Sequence, residues 1–142
     1  EEMFGDVHSL DLKTQRWRVL GTLAERWSAF GHTAVKVSST ALLAHGGATY
    51  DRDTGMFLAR CDSHMLDVTT ARTIEARTEG EPTRRYRHSM TAVSPSRFVV
   101  VGGDVLQPDF HVDAANRVDR LTYCSSDVLL LDVVKDSASL EQ

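Results

Sequence analysis

The feature that most narrows what this chain can fold into is a self-similarity at a fixed offset of 56 residues. Asp6-Val-His-Ser-Leu-Asp11-Leu-Lys-Thr14 returns as Asp62-Ser-His-Met-Leu-Asp67-Val-Thr-Thr70, with Asp, His, Leu, Asp and Thr in register. At the same offset Gly31-His32-Thr33-Ala34 meets Arg87-His88-Ser89-Met90, and Leu43-Ala-His-Gly46-Gly47 meets Val99-Val-Val-Gly102-Gly103. A third aspartate element, 127–132, follows the second by 65 positions, which places a nine-residue insertion between the second glycine pair and that element. A fixed period of this length means one supersecondary unit reiterated, and each unit needs a neighbour to bury its apolar face.

Within a unit the apolar residues run in short stretches bounded by turn residues, with no long stretch at helical spacing, so the chain reads as all-β. Expected strands are 31–37, 41–45, 62–67 and about 73–77 in one unit, then 88–93, 98–101 and 127–131 in the next, where the fourth strand is faint. In front lie the last two strands of a preceding unit, 6–10 and 16–20. Asp11 and Asp67 each end a strand where a short carboxylate can accept backbone N–H groups, with Thr14 and Thr70 completing a tight turn. The glycine pairs end the second strand of each unit, where the chain must turn or let another backbone come close. No helix start follows them, so they are not phosphate cradles.

Composition removes several function classes. Sixteen Lys and Arg against 20 Asp and Glu give a net charge of −4, which argues against nucleic acid or an anionic membrane as the main partner. The apolar runs 98–101 and 128–131 fall far short of the roughly 20 residues of a membrane helix. The two cysteines, Cys61 and Cys124, form no CxxC and sit at no metal spacing, as expected of a soluble protein of a reducing, cytoplasmic compartment.

With these landmarks in place the chain resembles the kelch-repeat family, whose unit carries Arg-x-x-His near its first strand, Gly-Gly after its second, an Asp on its third and a Trp on its fourth. Pro82-Thr-Arg-Arg85-Tyr-Arg-His88 matches the start of such a unit, and Asp11 to Trp17 the end of one. Thr73 and Ala138 stand where Trp17 would recur, and Ala29 where Arg85 would. The resemblance implies a kelch-type β-propeller fragment of four-stranded antiparallel blades. Residues 1–20 would be the second half of a blade and 21–80 a full blade. Residues 81–142 would be a blade with a long loop at 104–125 and a weak or missing fourth strand. Closing a propeller takes roughly four to eight blades. Nine strands do not make a whole number of blades, so the remaining ones are expected from the same, longer chain.

Function then falls to the loops. The inter-blade segment before His88 gathers Arg84, Arg85, Tyr86 and Arg87, guanidinium forks beside an aromatic plane, which suit an acidic or phosphorylated protein or peptide. Arg85 can equally be the repeat's own structural arginine. The 104–125 loop adds Phe110 and His111, and 48–61 is its milder counterpart with Tyr50, Phe57 and Arg60. His32 and His88 are repeat-equivalent and are each expected to donate a structural hydrogen bond inside a blade. No metal or cofactor is implied: His45 lacks a second ligand by spacing, and Asp109-x-x-x-Asp113 lacks the alternating oxygens of a calcium loop. No nucleophile, base and orienter stand at plausible spacing. The reading is therefore a protein-interaction scaffold. The alternative is an accessory propeller of an enzyme, such as a tRNA-modifying methyltransferase or a kelch-type oxidase.

Overall fold

A computed structural model describes residues 4–22, 29–53, 56–80, 82–106, 111–112, 118–119 and 122–134, and these hold antiparallel strands and turns without a helix. The leading hairpin pairs β1 (Asp6–Asp11) with β2 (Arg16–Thr22). Next, β3 (Thr33–Lys36) and β4 (Ala41–His45) lead into a separate hairpin of β5 (Ala48–Asp51) and β6 (Met56–Ala59). The chain then returns through β7 (Ser63–Asp67) and β8 (Thr73–Ala76), completing a sheet of order β3-β4-β7-β8. A second sheet begins with β9 (Ser89–Ala92) and β10 (Arg97–Val101). Its long connection is filled by β11 (Asp104–Leu106), β12 (His111–Val112), β13 (Val118–Asp119) and β14 (Thr122–Cys124), paired as β11–β14 and β12–β13. Finally β15 (Val128–Asp132) lies beside β10, giving the order β9-β10-β15.

The all-β reading holds, and the expected strands agree with the observed ones to within two residues at each end. One expectation is corrected. Segments 48–61 and 104–125, read as plain loops, carry six further strands, which raises nine strands to fifteen among the described residues. These strands are two to four residues long, too short for an alternating pattern to register. A fourth strand near 138–142 lies outside the described residues.

Both insertions spring from the same staple. Gly46 N–H donates to Asp62 O (3.0 Å) and Arg60 N–H to Gly47 O (2.8 Å). In the second sheet Gly102 N–H donates to Asp127 O (3.0 Å) and Ser125 N–H to Gly103 O (2.8 Å). The glycines share one conformation, with φ of +64° and +94° at 46 and 47, and +67° and +94° at 102 and 103. The strand-end turns also repeat. Asp11 Oδ1 accepts from the N–H groups of Lys13 (2.8 Å) and Thr14 (3.0 Å), and Asp67 Oδ1 from Thr69 (2.7 Å) and Thr70 (3.3 Å). At Asp67 the Thr69 hydroxyl donates as well (2.6 Å) and is the larger influence; with the backbone bonds it holds that carboxyl below the ordinary carboxylate range, as the bonds from Thr14 and Lys13 do for Asp11.

Strand alternation decides which face is buried. On β10 and β15, Phe98, Val100 and Leu131 point with Met90 of β9 toward the first sheet, where Leu43 joins them to form the core, flanked by Val35, Val37 and Met65. Burying one such side chain contributes about 1.5–3 kcal/mol, so this seam dominates the stability of the described region. At the repeat offsets Leu43 corresponds to Val99 and Met65 to Leu130, so the second sheet presents the equivalent of the first sheet's buried face on its far side. There it is open: Val128 and Leu130 are 66% and 63% exposed. No helix among the described residues is long and apolar enough to cross a membrane.

Candidate functional site

Residues 82–88 cross from the first sheet to the second and are tied to both. Arg85 N–H donates to Arg60 O (3.0 Å), Gly47 N–H to Arg85 O (2.9 Å), and Arg87 N–H to Gly31 O (2.7 Å). Tyr86 and Asp104 exchange backbone bonds of 3.1 and 2.8 Å, and the Thr33 hydroxyl donates to His88 O at 2.7 Å. The crossing is therefore rigid.

It divides the arginine cluster. Arg85 is fully buried, its Nη1 donating to Gly102 O (2.7 Å) and its Nε to Thr83 O (3.3 Å), so it offers no fork at the surface. Arg87 is exposed, with φ +56°; its guanidinium carbon lies 5.3 Å from the Tyr86 ring centre, and its Nη1 is 3.3 Å from Asp104 Oδ2. Tyr86 meets Phe30 edge to face at 5.9 Å, and Phe30 meets Phe57 of the inserted hairpin at 5.3 Å. Arg84 is exposed and lines an open cleft of about 660 Å³ with Cys61, Arg77 and Thr83. Tyr86, with Arg87 beside its ring, thus adjoins the β5–β6 hairpin through Phe30, while Arg84 stands in the cleft beside β7 and β8. Phe110 lies outside the described residues, and His111 is described by its backbone, opposite Asp119 in β12–β13. Both cysteines are free thiols.

The two repeat-equivalent histidines behave differently, which corrects the expectation of a common structural bond. His32, exposed, has its Nδ1 3.2 Å from Ala29 O. His88 is buried and its ring makes no side-chain hydrogen bond, with only a weak contact to the His45 backbone. The carbonyl that His32 reaches is Ala29 O, whereas its counterpart in the second unit, Arg85 O, already accepts from Gly47 N–H at 2.9 Å. His45, which periodicity did not mark as special, is buried opposite Ser63, with its Nδ1 2.9 Å from Ser63 Oγ. Its ring centre is 5.3 Å from that of His88.

Burial, then the charges on its neighbours, pushes His45 down to about 4. Burial, followed by Arg85 and His32, pushes His88 to about 4, against a smaller opposing pull from the His45 backbone. In the unfolded chain both titrate near 6.5. As pH falls below 6.5 the unfolded state gains protons that the folded state refuses until about pH 4, so stability is full above 6.5 and is lost toward 4. Denaturant midpoints from pH 8 to 4 are expected to fall with proton uptake on unfolding approaching about two. Uptake near zero across that range would contradict the burial of both rings.

On the opposite face of the first sheet, a cavity of about 310 Å³ lies between Leu42, Ala44 and Leu66 and the β1–β2 hairpin. At its rim Asp62 pairs with Arg60, and its Oδ2 stands 2.8 Å from His64 Nε2. Burial raises this carboxyl, but the bonds from His64 and Arg60 outweigh burial and hold it well below the ordinary range. Among the described residues no group of three or more His, Cys, Asp or Glu is arranged to hold a metal. Asp62 is thus paired with two side chains, and Arg84 and Arg87 are the exposed members of the arginine cluster in the crossing. No protein-family model matches the chain and no curated protein matches it in sequence.

Proposed function

We propose that this chain is part of a kelch-type β-propeller, and that it binds an acidic or phosphorylated protein segment through the face bearing Arg84, Tyr86 and Arg87. The observation that carries the reading is the head-to-tail stacking of the two sheets. One face of the first sheet covers the opposite face of the second, and the second exposes Val128 and Leu130 where the first would be covered. Such stacking does not close on itself with two units. Further sheets of the same repeat, from the same longer polypeptide, fit that open face and remove an aggregation hazard.

The binding half rests on rigidity and charge. Tyr86 is pinned by Phe30 and by the backbone exchange with Asp104, Arg87 lies over its ring, and Arg84 borders the cleft, so little side-chain freedom is lost on docking. A charge-assisted hydrogen bond contributes about 1.5–3 kcal/mol. The probe is an array of phosphoserine and polyglutamate peptides. Arg84→Ala with Arg87→Ala is expected to weaken whichever peptides bind by tenfold or more. Unchanged affinity would remove the arginine face from the proposal, and a repeat count in the parent polypeptide tests the propeller half separately.

A further inference from the structure

We propose that Arg87 is the residue that reads the partner's anion, and that Asp104 is a built-in competitor which that anion must displace. The inference rests on the binding half of the function proposed above, and adds which arginine decides affinity and what restrains it.

The two units build this place on one backbone and furnish it differently. Phe30 bridges to Ala48 in the first unit as Tyr86 bridges to Asp104 in the second, with backbone bonds of 3.0 and 2.9 Å against 3.1 and 2.8 Å. At the base of each insertion Ala48 lies opposite Ala59, and Asp104 opposite Cys124. Gly31 and its counterpart Arg87 share the left-handed conformation, at φ +65° and +56°. The first unit thus meets the demands of this backbone with Phe, Gly and two Ala, whereas the second carries Tyr, Arg, Asp and Cys. The backbone does not ask for the charges. A left-handed φ disfavours any residue with a Cβ, so the chain holds Arg87 in a strain that Gly31 avoids. Strain kept at an exposed position points to use by a ligand.

The resting ion pair is loose. Arg87 Nη1 stands 3.3 Å from Asp104 Oδ2, longer than the roughly 2.7–2.9 Å of a well-formed charge-assisted bond. The Arg87 side chain is 66% exposed, so its planar fork has N–H donors left for a second anion. Tyr86 supports it from one side, with 5.3 Å between guanidinium carbon and ring centre. Asp104 is 17% exposed, and its other oxygen accepts from Cys124 Sγ at 3.4 Å, so the carboxylate has its own anchor when the guanidinium turns away. A phosphate or carboxylate that takes the fork with two parallel bonds outmatches one long bond. Until then Asp104 offsets the charge of Arg87 and weakens the field an approaching anion meets.

The probe is a phosphoserine peptide that binds the wild type, titrated into variants of the intact chain. Arg87→Gly, which installs the first unit's residue, is expected to weaken binding tenfold or more without lowering the urea midpoint, because glycine relieves the left-handed conformation. Asp104→Asn, nearly isosteric, is expected to strengthen binding by up to about fivefold, the contribution of an exposed ion pair. Unchanged or weaker binding by Asp104→Asn overturns the competitor role, since Asp104 would then support Arg87 instead. Unchanged binding by Arg87→Gly, or a fall in its urea midpoint, overturns the reading role and makes the arginine structural. If peptides bind the wild type and the variants fail in these ways, this inference falls alone. If neither phosphoserine nor polyglutamate peptides bind the wild type, the proposed binding function falls with it.

Discussion

Phe98→Ala is expected to lower the unfolding free energy by about 3–5 kcal/mol, the usual cost of removing a buried aromatic ring and leaving its cavity. Phe98 is fully buried on β10, the middle strand of its sheet, which is hydrogen-bonded to β9 on one side and β15 on the other. The backbone therefore cannot move inward to refill the space among Leu43, Met90, Val100 and Leu131. Since whole domains hold only about 5–15 kcal/mol, such a loss removes a large part of the fold's stability. Urea unfolding followed by tryptophan fluorescence measures it, with the exposed Leu12→Ala as reference, expected within about 0.5 kcal/mol of wild type. Equal midpoints for the two variants would mean that the sheets do not pack through this ring.

Gly103→Ala is expected to cost about 3 kcal/mol from two separate causes. At φ +94° an L residue is strained, by about 1–2 kcal/mol if the left-handed helical penalty is taken as a guide. The added Cβ would also lie 2.8 Å from the His88 Cβ and 2.8 Å from the Tyr86 carbonyl oxygen, and overpacking of that kind costs about 1–3 kcal/mol. Gly80→Ala separates the two causes: at φ +74° with nothing within 4 Å of its Cβ, it carries the dihedral cost alone. A Gly103→Ala loss no greater than that of Gly80→Ala would show that the crossing segment yields easily, contrary to its bonding.

The main strands were legible because each obeys a local rule that the repeat prints more than once. Asp11 and Asp67 sit at turns closed by their own carboxylates, and the glycine pairs stand where φ is positive. The inserted hairpins were not legible. Their pairing begins from bonds made by Gly46, Gly47 and Arg60 at the base, which leave no trace in the composition of the tip. The candidate site was half legible. Exposed Arg84 and Arg87 followed from their place in an inter-blade segment, whereas the Arg-x-x-His pattern singled out Arg85 but left open whether it served the fold or a partner. Arg85 turns inward because the unbonded carbonyl of Gly102 lies within its reach. The differing fates of His32 and His88 follow from the carbonyl each could reach, free at Ala29 and taken by Gly47 N–H at Arg85, and repeat equivalence alone would have made them alike.

The stapled bases of the two insertions have an engineering consequence. Between the bonded residues, 47 to 60 and 103 to 125, the second insertion is nine residues longer, yet both close on bonds of 2.8 Å. By loop-closure entropy that extra length costs only about 0.5 kcal/mol. The two tips are therefore exchangeable cassettes: foreign sequence of widely different length can be spliced between a glycine pair and its partner strand while the sheet beneath keeps its register.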